Sequence, residues 1–535
     1  MMLKRDMMQQ LCLAAILGCC CLPATAQTQA NDTTVNRTVV VEQEYNPTIR
    51  DAAKVNVMPE VPALPTTKKS ARFVLNAQPA SHIQATPMQA FTGEVKRDKG
   101  FPGEVRLAYG NLGQVEAVAG YRWLATPKDQ FLVNAGLTGR DGKLDRLDGT
   151  GKWNSHFYRT RAALDWIHRF RQVNLKAGGD FDLSNFNFQP GLQEGKQKFT
   201  SGAFHVGVQS HTEDRPVWFH VETGIQLFQR QHDLTSDDIK EALIRTRGEV
   251  SAAFNDEQRI AVAIQMENGF FQKADFENYT TFDLNPYFTW NTDDWKLHAG
   301  AHVNPSLGFS KKMRVAPDVT VQYIAGESHI LYAQATGGRQ LNDFRRLQDF
   351  SPYSQLATQL EATYEQINAA LGVKGSPLAG WWFHVYGGYQ NLKDDLIQGA
   401  AFTTEHTKNV YGGLETRYSY KDLFSLHLQG IYRHWNADEE SALLFKPSVE
   451  TQVNVGFRPI HPLQISLGYQ HQIREKVAGE KLEDVSNLHA EINYDLLPNV
   501  GLYARFSNLL NQEYQEHWGY QAVGFNFLGG VNFRF

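Results

Sequence analysis

Cysteine is scarce: there are 4 in a chain of 535 residues, all within the first 21 positions, at Cys12, Cys19, Cys20 and Cys21. Beyond them, structure must rest on hydrogen bonding and packing, without disulfides or thiol metal ligands. Long apolar runs are absent too, and none approaches the roughly 18 residues of a membrane-spanning helix. Neither charge sign dominates, with 52 Lys+Arg against 57 Asp+Glu and a formal charge of −5. Lacking a basic block, the chain has no electrostatic footprint of a nucleic-acid binder. There is no H-E-x-x-H, no phosphate-binding loop and no G-x-S-x-G. Each of those patterns carries a defined chemistry. No catalytic residue, metal ligand or cofactor is therefore assigned, and no enzyme activity is expected.

What is present is a dispersed supply of aromatic and apolar residues. Phe, Tyr and Trp number 32, 21 and 10, and apolar residues are 42% against 20% charged. That balance excludes a disordered chain. A mean hydropathy of −0.42 would by itself suit a large soluble protein. The pattern along the chain argues otherwise.

Lys4 and Arg5 precede an apolar stretch over residues 11–22 and the small-residue site Ala24-Thr25-Ala26. This order reads as a secretory signal peptide, residues 1–26, which removes every cysteine. The rival is a lipoprotein signal, Ile16-Leu17-Gly18 before Cys19, but the A-x-A site lies beyond that cysteine. Residues 27–100 contain Pro47, Pro59, Pro62, Pro65 and Pro79 and little periodicity. They read as an extended periplasmic segment with one short strand at residues 38–41, too small for a substantial core.

Residues 101–535 change character. Segment after segment alternates apolar and polar, the period-2 mark of strands with one face in each environment. Phe525, Phe527, Gly529, Val531, Phe533 and Phe535 share one face of the last segment, and Asn526, Asn532 and Arg534 share the other. Counting such segments gives about 22 strands, with roughly 18–22 plausible. Their connections take turns in length. Residues 139–155, 338–361, 391–408, 435–446, 472–485 and 509–524 are long, while 168–171, 376–380, 421–422, 458–462 and 495–499 are short. Ser236 reads as the cap of a short helical stretch over 237–243. The acidic runs Asp237-Asp238 and Asp438-Glu439-Glu440 fall in long loops, where solvation accounts for them.

A propeller would repeat a motif every ~40–50 residues, and none recurs. Alternation with loops long on one side and tight on the other predicts an all-β, transmembrane antiparallel barrel of the outer membrane, porin-like in outline. In lipid such strands must close, because an open edge strands backbone groups. An even strand number with long loops outside places both termini in the periplasm. Tyr109, Tyr121, Trp166, Tyr418, Tyr420, Tyr432, Tyr469 and Tyr494 sit near strand ends as an interface girdle. Phe527, Val531, Phe533 and Phe535 form a C-terminal signal for the barrel-assembly machinery. The alternate, lumen-lining set is Glu415, Arg417, His427, Arg433, Glu450, His489, Glu491, Arg505 and Arg534. A barrel this wide leaves an open bore unless something fills it.

Asn508-Leu509-Leu510-Asn511-Gln512-Glu513-Tyr514 resembles the N-L-x-N-x-x-Y that opens the last external loop of TonB-dependent receptors. Residues 343–364, with Pro352-Tyr353 and Leu360-Glu361, look like a mid-barrel loop of that family. Leu107-Ala108-Tyr109-Gly110-Asn111 is similar to the opening strand of its plugless relatives. In those, a segment like residues 39–59, with Glu42-Gln43-Glu44-Tyr45-Asn46-Pro47-Thr48, precedes the barrel. The resemblance implies solute binding or passage across the outer membrane. The departure is that residues 27–100 are too few for the family's globular plug. Thr38-Val39-Val40-Val41 is only loosely like a TonB box, so TonB engagement stays open. The alternative is a structural barrel whose N-terminal segment docks a periplasmic or lipoprotein partner. Intact-mass measurement on the membrane-extracted protein is expected to show a thiol-free chain starting at Gln27. An acylated chain starting at Cys19 would establish the lipoprotein reading.

Overall fold

The computed structural model describes residues 101–535 apart from 212–215, 234–236 and 327. The readings made on residues 1–100, including the signal, the short strand and the TonB-box comparison, lie outside the described residues. From the N-terminal side the strands are β1 (Gly103–Gly110), β2 (Val115–Leu124), β3 (Asp129–Asp145), β4 (Lys152–Arg169), β5 (Val173–Asn187) and β6 (Lys196–Ser210). Next come β7 (Val217–Arg230), β8 (Ile239–Ala253), β9 (Gln258–Gln272), β10 (Tyr279–Asn291), β11 (Trp295–Leu307), β12 (Met313–Ala325) and β13 (His329–Gln340). One helix, α1 (Phe344–Phe350), precedes β14 (Thr363–Leu378), β15 (Trp381–Ile397), β16 (Thr403–Tyr420) and β17 (Phe424–Ala437). The chain ends with β18 (Val449–Ile460), β19 (Leu463–Ile473), β20 (Val485–Leu497), β21 (Val500–Ser507), β22 (Gln515–His517), β23 (Tyr520–Gln521) and β24 (Asn526–Arg534).

Twenty-two of these strands form a single sheet, and β22–β23 make a separate small hairpin. Each barrel strand pairs antiparallel with its sequence neighbours, and β1 also pairs with β24, from Glu104↔Arg534 to Gly110↔Leu528. Gly103 N–H donates to the Phe535 carbonyl at 2.9 Å, and the Gly103 carbonyl accepts from Phe535 N–H at 3.0 Å. The ring is closed, so no edge is left unpaired, as a lipid environment requires.

The two-residue period sets the faces. On β16, Val410, Leu414, Tyr418 and Tyr420 are exposed, and Asn409 beside Val410 is buried. On β24, Phe527 and Phe533 are exposed while Leu528 is buried. The same outward series runs through Val217, Val221, Ile225 and Leu227 of β7 and Ile260, Val262 and Ile264 of β9. A continuous exposed apolar belt of this extent is a lipid-facing surface. Six of the expected girdle residues (Tyr109, Tyr121, Tyr418, Tyr420, Tyr432 and Tyr494) are exposed on it. Trp166 donates to Asp129 at 3.1 Å, and Tyr469 stacks on His471. No helix among the described residues is long and apolar enough to cross a membrane.

The connections alternate as expected. One end carries turns such as 379–380, 461–462 and 498–499; the other carries 341–362, 438–448, 474–484 and 508–525. Two loops are shorter than the sequence pattern suggests. Residues 139–155 and 391–408 are mostly strand, because β3–β4 and β15–β16 continue to a turn at 146–151 and to 398–402. Beyond lipid both faces of a strand meet polar surroundings, so its alternation fades and it resembles a loop. The short helix expected at 237–243 is also absent, since β8 begins at Ile239. Its inward Ile239, Glu241 and Leu243 are buried at a period of two, so packing overrides the capping signal.

At the closing seam, Tyr503 and Arg505 of β21 reach across β24 and β1 to Glu116 of β2, at 3.0 and 2.9 Å. They pass over Gly530, where a Cβ would meet the Leu107 carbonyl and lie 2.8 Å from the Tyr503 ring. Gly530→Val is therefore expected to prevent seam closure. An unboiled gel would show loss of the compact, detergent-resistant band, whereas retention of that band would show that the seam tolerates the side chain.

Candidate functional site

The connection between β13 and β14, residues 341–362 and here called the strap, folds inside the ring. Around the ring, β13 and β14 stand well away from β5 and β6, yet the strap joins the one pair and touches the other. Its Arg345 pairs with Asp180, midway along β5, and donates to Ser201 of β6 at 3.3 Å. Gln348 donates to Ser184 of β5 at 2.9 Å. Asp180, Ser184 and Ser201 lie on the face opposite exposed Phe181 and Phe204, which is the inner wall. Through these inward side chains the segment is seated inside the ring, on the wall away from the strands it joins.

Local sequence explains the strap's shape. Asp343 caps α1, its carboxylate accepting from Arg346 N–H at 2.9 Å. The helix stops at Ser351-Pro352, where proline removes a donor and disfavours helix before it. Phe344 and Leu347 face one side and are 2% and 1% exposed. They pack with Leu356 against Phe186, Phe199, Phe228 and Ile239 of the wall. Tyr353 lies 3.8 Å from the Tyr520 ring of the β22–β23 hairpin, nearly parallel to it.

Polar contacts fix the register of this seat. Phe344 N–H donates to Glu241 of β8 at 2.9 Å. Arg230 of β7, fully buried, pairs with Asp233 at 2.6 Å and donates to the Ser354 carbonyl at 3.0 Å. Asp233 in turn accepts from Leu356 N–H at 2.5 Å. Arg245 of β8 bridges Glu267 of β9 at 2.6 Å and Asp343 at 3.5 Å. Gln355 exchanges backbone hydrogen bonds with residues 400–402, both 2.9 Å. Arg159 of β4 joins Asp182 at 2.7 Å and the strap's Asp349 at 3.0 Å.

The residues proposed from sequence as lumen-lining fall into separate side-chain groups. Arg417 and His427 meet at Glu415, at 2.6 and 2.9 Å. Arg433 lies 3.6 Å from Glu450 and near the Tyr411 and Trp435 rings. Arg505 binds Glu491 at 3.2 Å as well as Glu116. His489 lies over Gly468, and Arg534 pairs with Asp495 at 3.0 Å at the short-turn end. These groups are distinct from the strap's anchors. Sequence reading misses those anchors, although the weakly patterned 338–361 stretch holds the signal: Phe344, Leu347, Tyr353 and Leu356 within a loop. Among the described residues no His, Cys, Asp and Glu cluster could hold a metal.

No family model and no curated protein matches the chain. Solved structures do match its fold. The FrpB iron transporter from Neisseria meningitidis (F3-3 variant) aligns at TM-score 0.63 and 11% identity, over 82% of each chain. The ferric-catecholate import receptor Fiu from K12 E. coli aligns at 0.62 and 8%, also over 82% of each. The ferripyoverdine receptor of the Pseudomonas aeruginosa outer membrane aligns at 0.62 and 11%, over 82% of this chain and 72% of that one. These are TonB-dependent receptors with 22-strand barrels, and the present chain has the same barrel fold.

Truncating a buried Phe costs about 3–5 kcal/mol, whereas a half-exposed ion pair is worth about 1 kcal/mol or less. Phe344→Ala is therefore expected to speed hydrogen exchange of residues 341–362 roughly a hundredfold or more. Arg345→Ala should change it far less, with barrel strands protected in both. Equal effects would show that the ion pair, not the apolar seat, holds the strap.

Proposed function

We propose that this chain is an outer-membrane barrel that binds or passes a polar solute, with both termini periplasmic and the strap closing the bore. The observation that carries this is the strap itself, a folded segment seated inside the ring at the long-loop end. A purely structural barrel has no need of a helix-containing segment seated on the inner wall from β8 round to β4. The paired charges on the remaining wall, Glu415 with Arg417 and Arg505 with Glu491 among them, give a hydrated solute a polar surface. The comparison proteins, an iron transporter and an import receptor by name, support transport for a barrel of this fold.

Lipid meets the exposed apolar belt, and the strand ending in Phe535 serves the barrel-assembly machinery as its recognition element. The N-terminal segment, residues 27–100, either fills the lumen below the strap or docks a periplasmic or lipoprotein partner. Planar-bilayer recordings separate these roles. Replacing 341–362 by a short Gly-Ser linker is expected to raise conductance, alone and more so with 27–100 deleted, whereas deleting 27–100 alone leaves the strap in place. The doubly altered barrel should conduct an order of magnitude or more above wild type. A folded, doubly altered barrel that does not conduct would overturn the transport reading. Loss of a co-purifying protein on deleting 27–100 would favour docking.

A further inference from the structure

Where the strap meets the last long loop there is a cavity of about 190 Å3. Three separate parts of the chain build it: Arg140 and Trp153 from the β3–β4 hairpin, Tyr353 from the strap, and Glu516, His517 and Tyr520 from the 508–525 loop. Its volume equals roughly six waters, enough for a small organic molecule and too little for a large one. The aromatic part is rigid. Tyr353 stacks on Tyr520, Trp153 meets Tyr520 edge-on at 6.1 Å, and His517 lies 5.6 Å from Tyr353.

The polar part is unfinished. Arg140 uses one arm to donate to Ser155 Oγ at 3.3 Å, and its Nε is buried with no hydrogen-bond partner. His517 Nδ1 is buried and unpartnered as well. Buried polar groups are ordinarily satisfied, and a guanidinium N–H without an acceptor is among the costliest exceptions. Burial holds His517 below the ordinary histidine range, so its ring is neutral near pH 7. Burial also pushes the Tyr353 and Tyr520 phenols up, leaving both neutral. Glu516, which also lines the cavity, is exposed to solvent. Apart from that exposed carboxylate, the cavity presents one cation, one neutral imidazole and aromatic rings. That combination recognises a carboxylate attached to a flat apolar body.

We propose that this cavity binds a small organic carboxylate, with its head on Arg140 and His517 and its body among Trp153, Tyr353 and Tyr520. The inference names a ligand class for the barrel proposed above, and rests on that reading in treating the long-loop end as the solute's side. The strap contributes one wall, so occupancy of the site and the position of the strap are coupled.

Calorimetry on the full chain in detergent tests this with phenylacetate as the probe and phenylacetamide as its neutral counterpart. Because no bilayer is involved, failure here is distinct from failure to conduct. Saturable binding of phenylacetate is expected, with phenylacetamide at least about tenfold weaker. Arg140→Gln should weaken phenylacetate by a similar factor, and Val523→Trp, which fills the cavity from the same loop, should abolish binding. Both variants are first shown to keep the compact unboiled band. Absence of phenylacetate binding to the wild-type chain, equal affinity for the amide, or undiminished binding by either variant would overturn the proposal.

Discussion

A strand in lipid has no water to satisfy its backbone, and this molecule answers that constraint with one closed ring of 22 strands. The seam between β1 and β24 is where the constraint is met, with Gly103 and Phe535 exchanging two hydrogen bonds at the rim. Closure sets the chemistry of each face. The outward positions must be apolar, the inward positions are free to be charged, and the turns at one end must be tight. It also creates a problem, because a ring of this circumference encloses a bore too wide for its own side chains to fill.

The strap is the molecule's answer at the long-loop end. Its affinity and its address come from different residues. Phe344, Leu347 and Leu356 each contribute about 1.5–3 kcal/mol on burial, against about 1 kcal/mol or less for a pair as exposed as Arg345–Asp180. The apolar anchors therefore hold the strap down. Arg230–Asp233 is different, being fully buried, so losing one partner would leave a charge stranded at a cost of about 3–5 kcal/mol. Its hydrogen bonds to the strap backbone at Ser354 and Leu356 make it a positional key. Tight apolar contact with a few charged keys describes a segment that seats in one place.

The barrel is legible in the sequence because lipid and water impose alternation residue by residue. Phe527, Val531 and Phe533 against Leu528, Asn532 and Arg534 require only the two-residue period. Where that solvent contrast ends, legibility ends. The outer parts of β3–β4 and β15–β16 read as loops because neither face touches lipid there. The strap reads only as a long loop, since its anchors Phe344 and Leu347 lie on a helix too short to show periodicity. Its partners Asp180, Ser201 and Arg230 are far away in sequence and unremarkable on their own strands. Glu415, Arg417 and His427 stand out by type and face, which does not reveal that they pair with one another or that the strap seats elsewhere. The cavity beside Tyr353 is beyond sequence reading, because three distant stretches build it.

Function turns on whether residues 341–362 close the bore by being seated against the far wall. All four native cysteines lie within the first 21 residues, so in a chain expressed without them cysteines placed at positions 345 and 180 can be joined by a short cleavable bis-thiol reagent. The measurement is single-channel conductance of that double variant, also lacking residues 27–100, before and after cleavage of the bridge. A strap that closes the bore gives a silent bridged barrel, which opens when the bridge is cut and the strap is displaced by mild denaturant. Equal conductance of the bridged and cleaved barrels in that same denaturant would contradict closure by the strap.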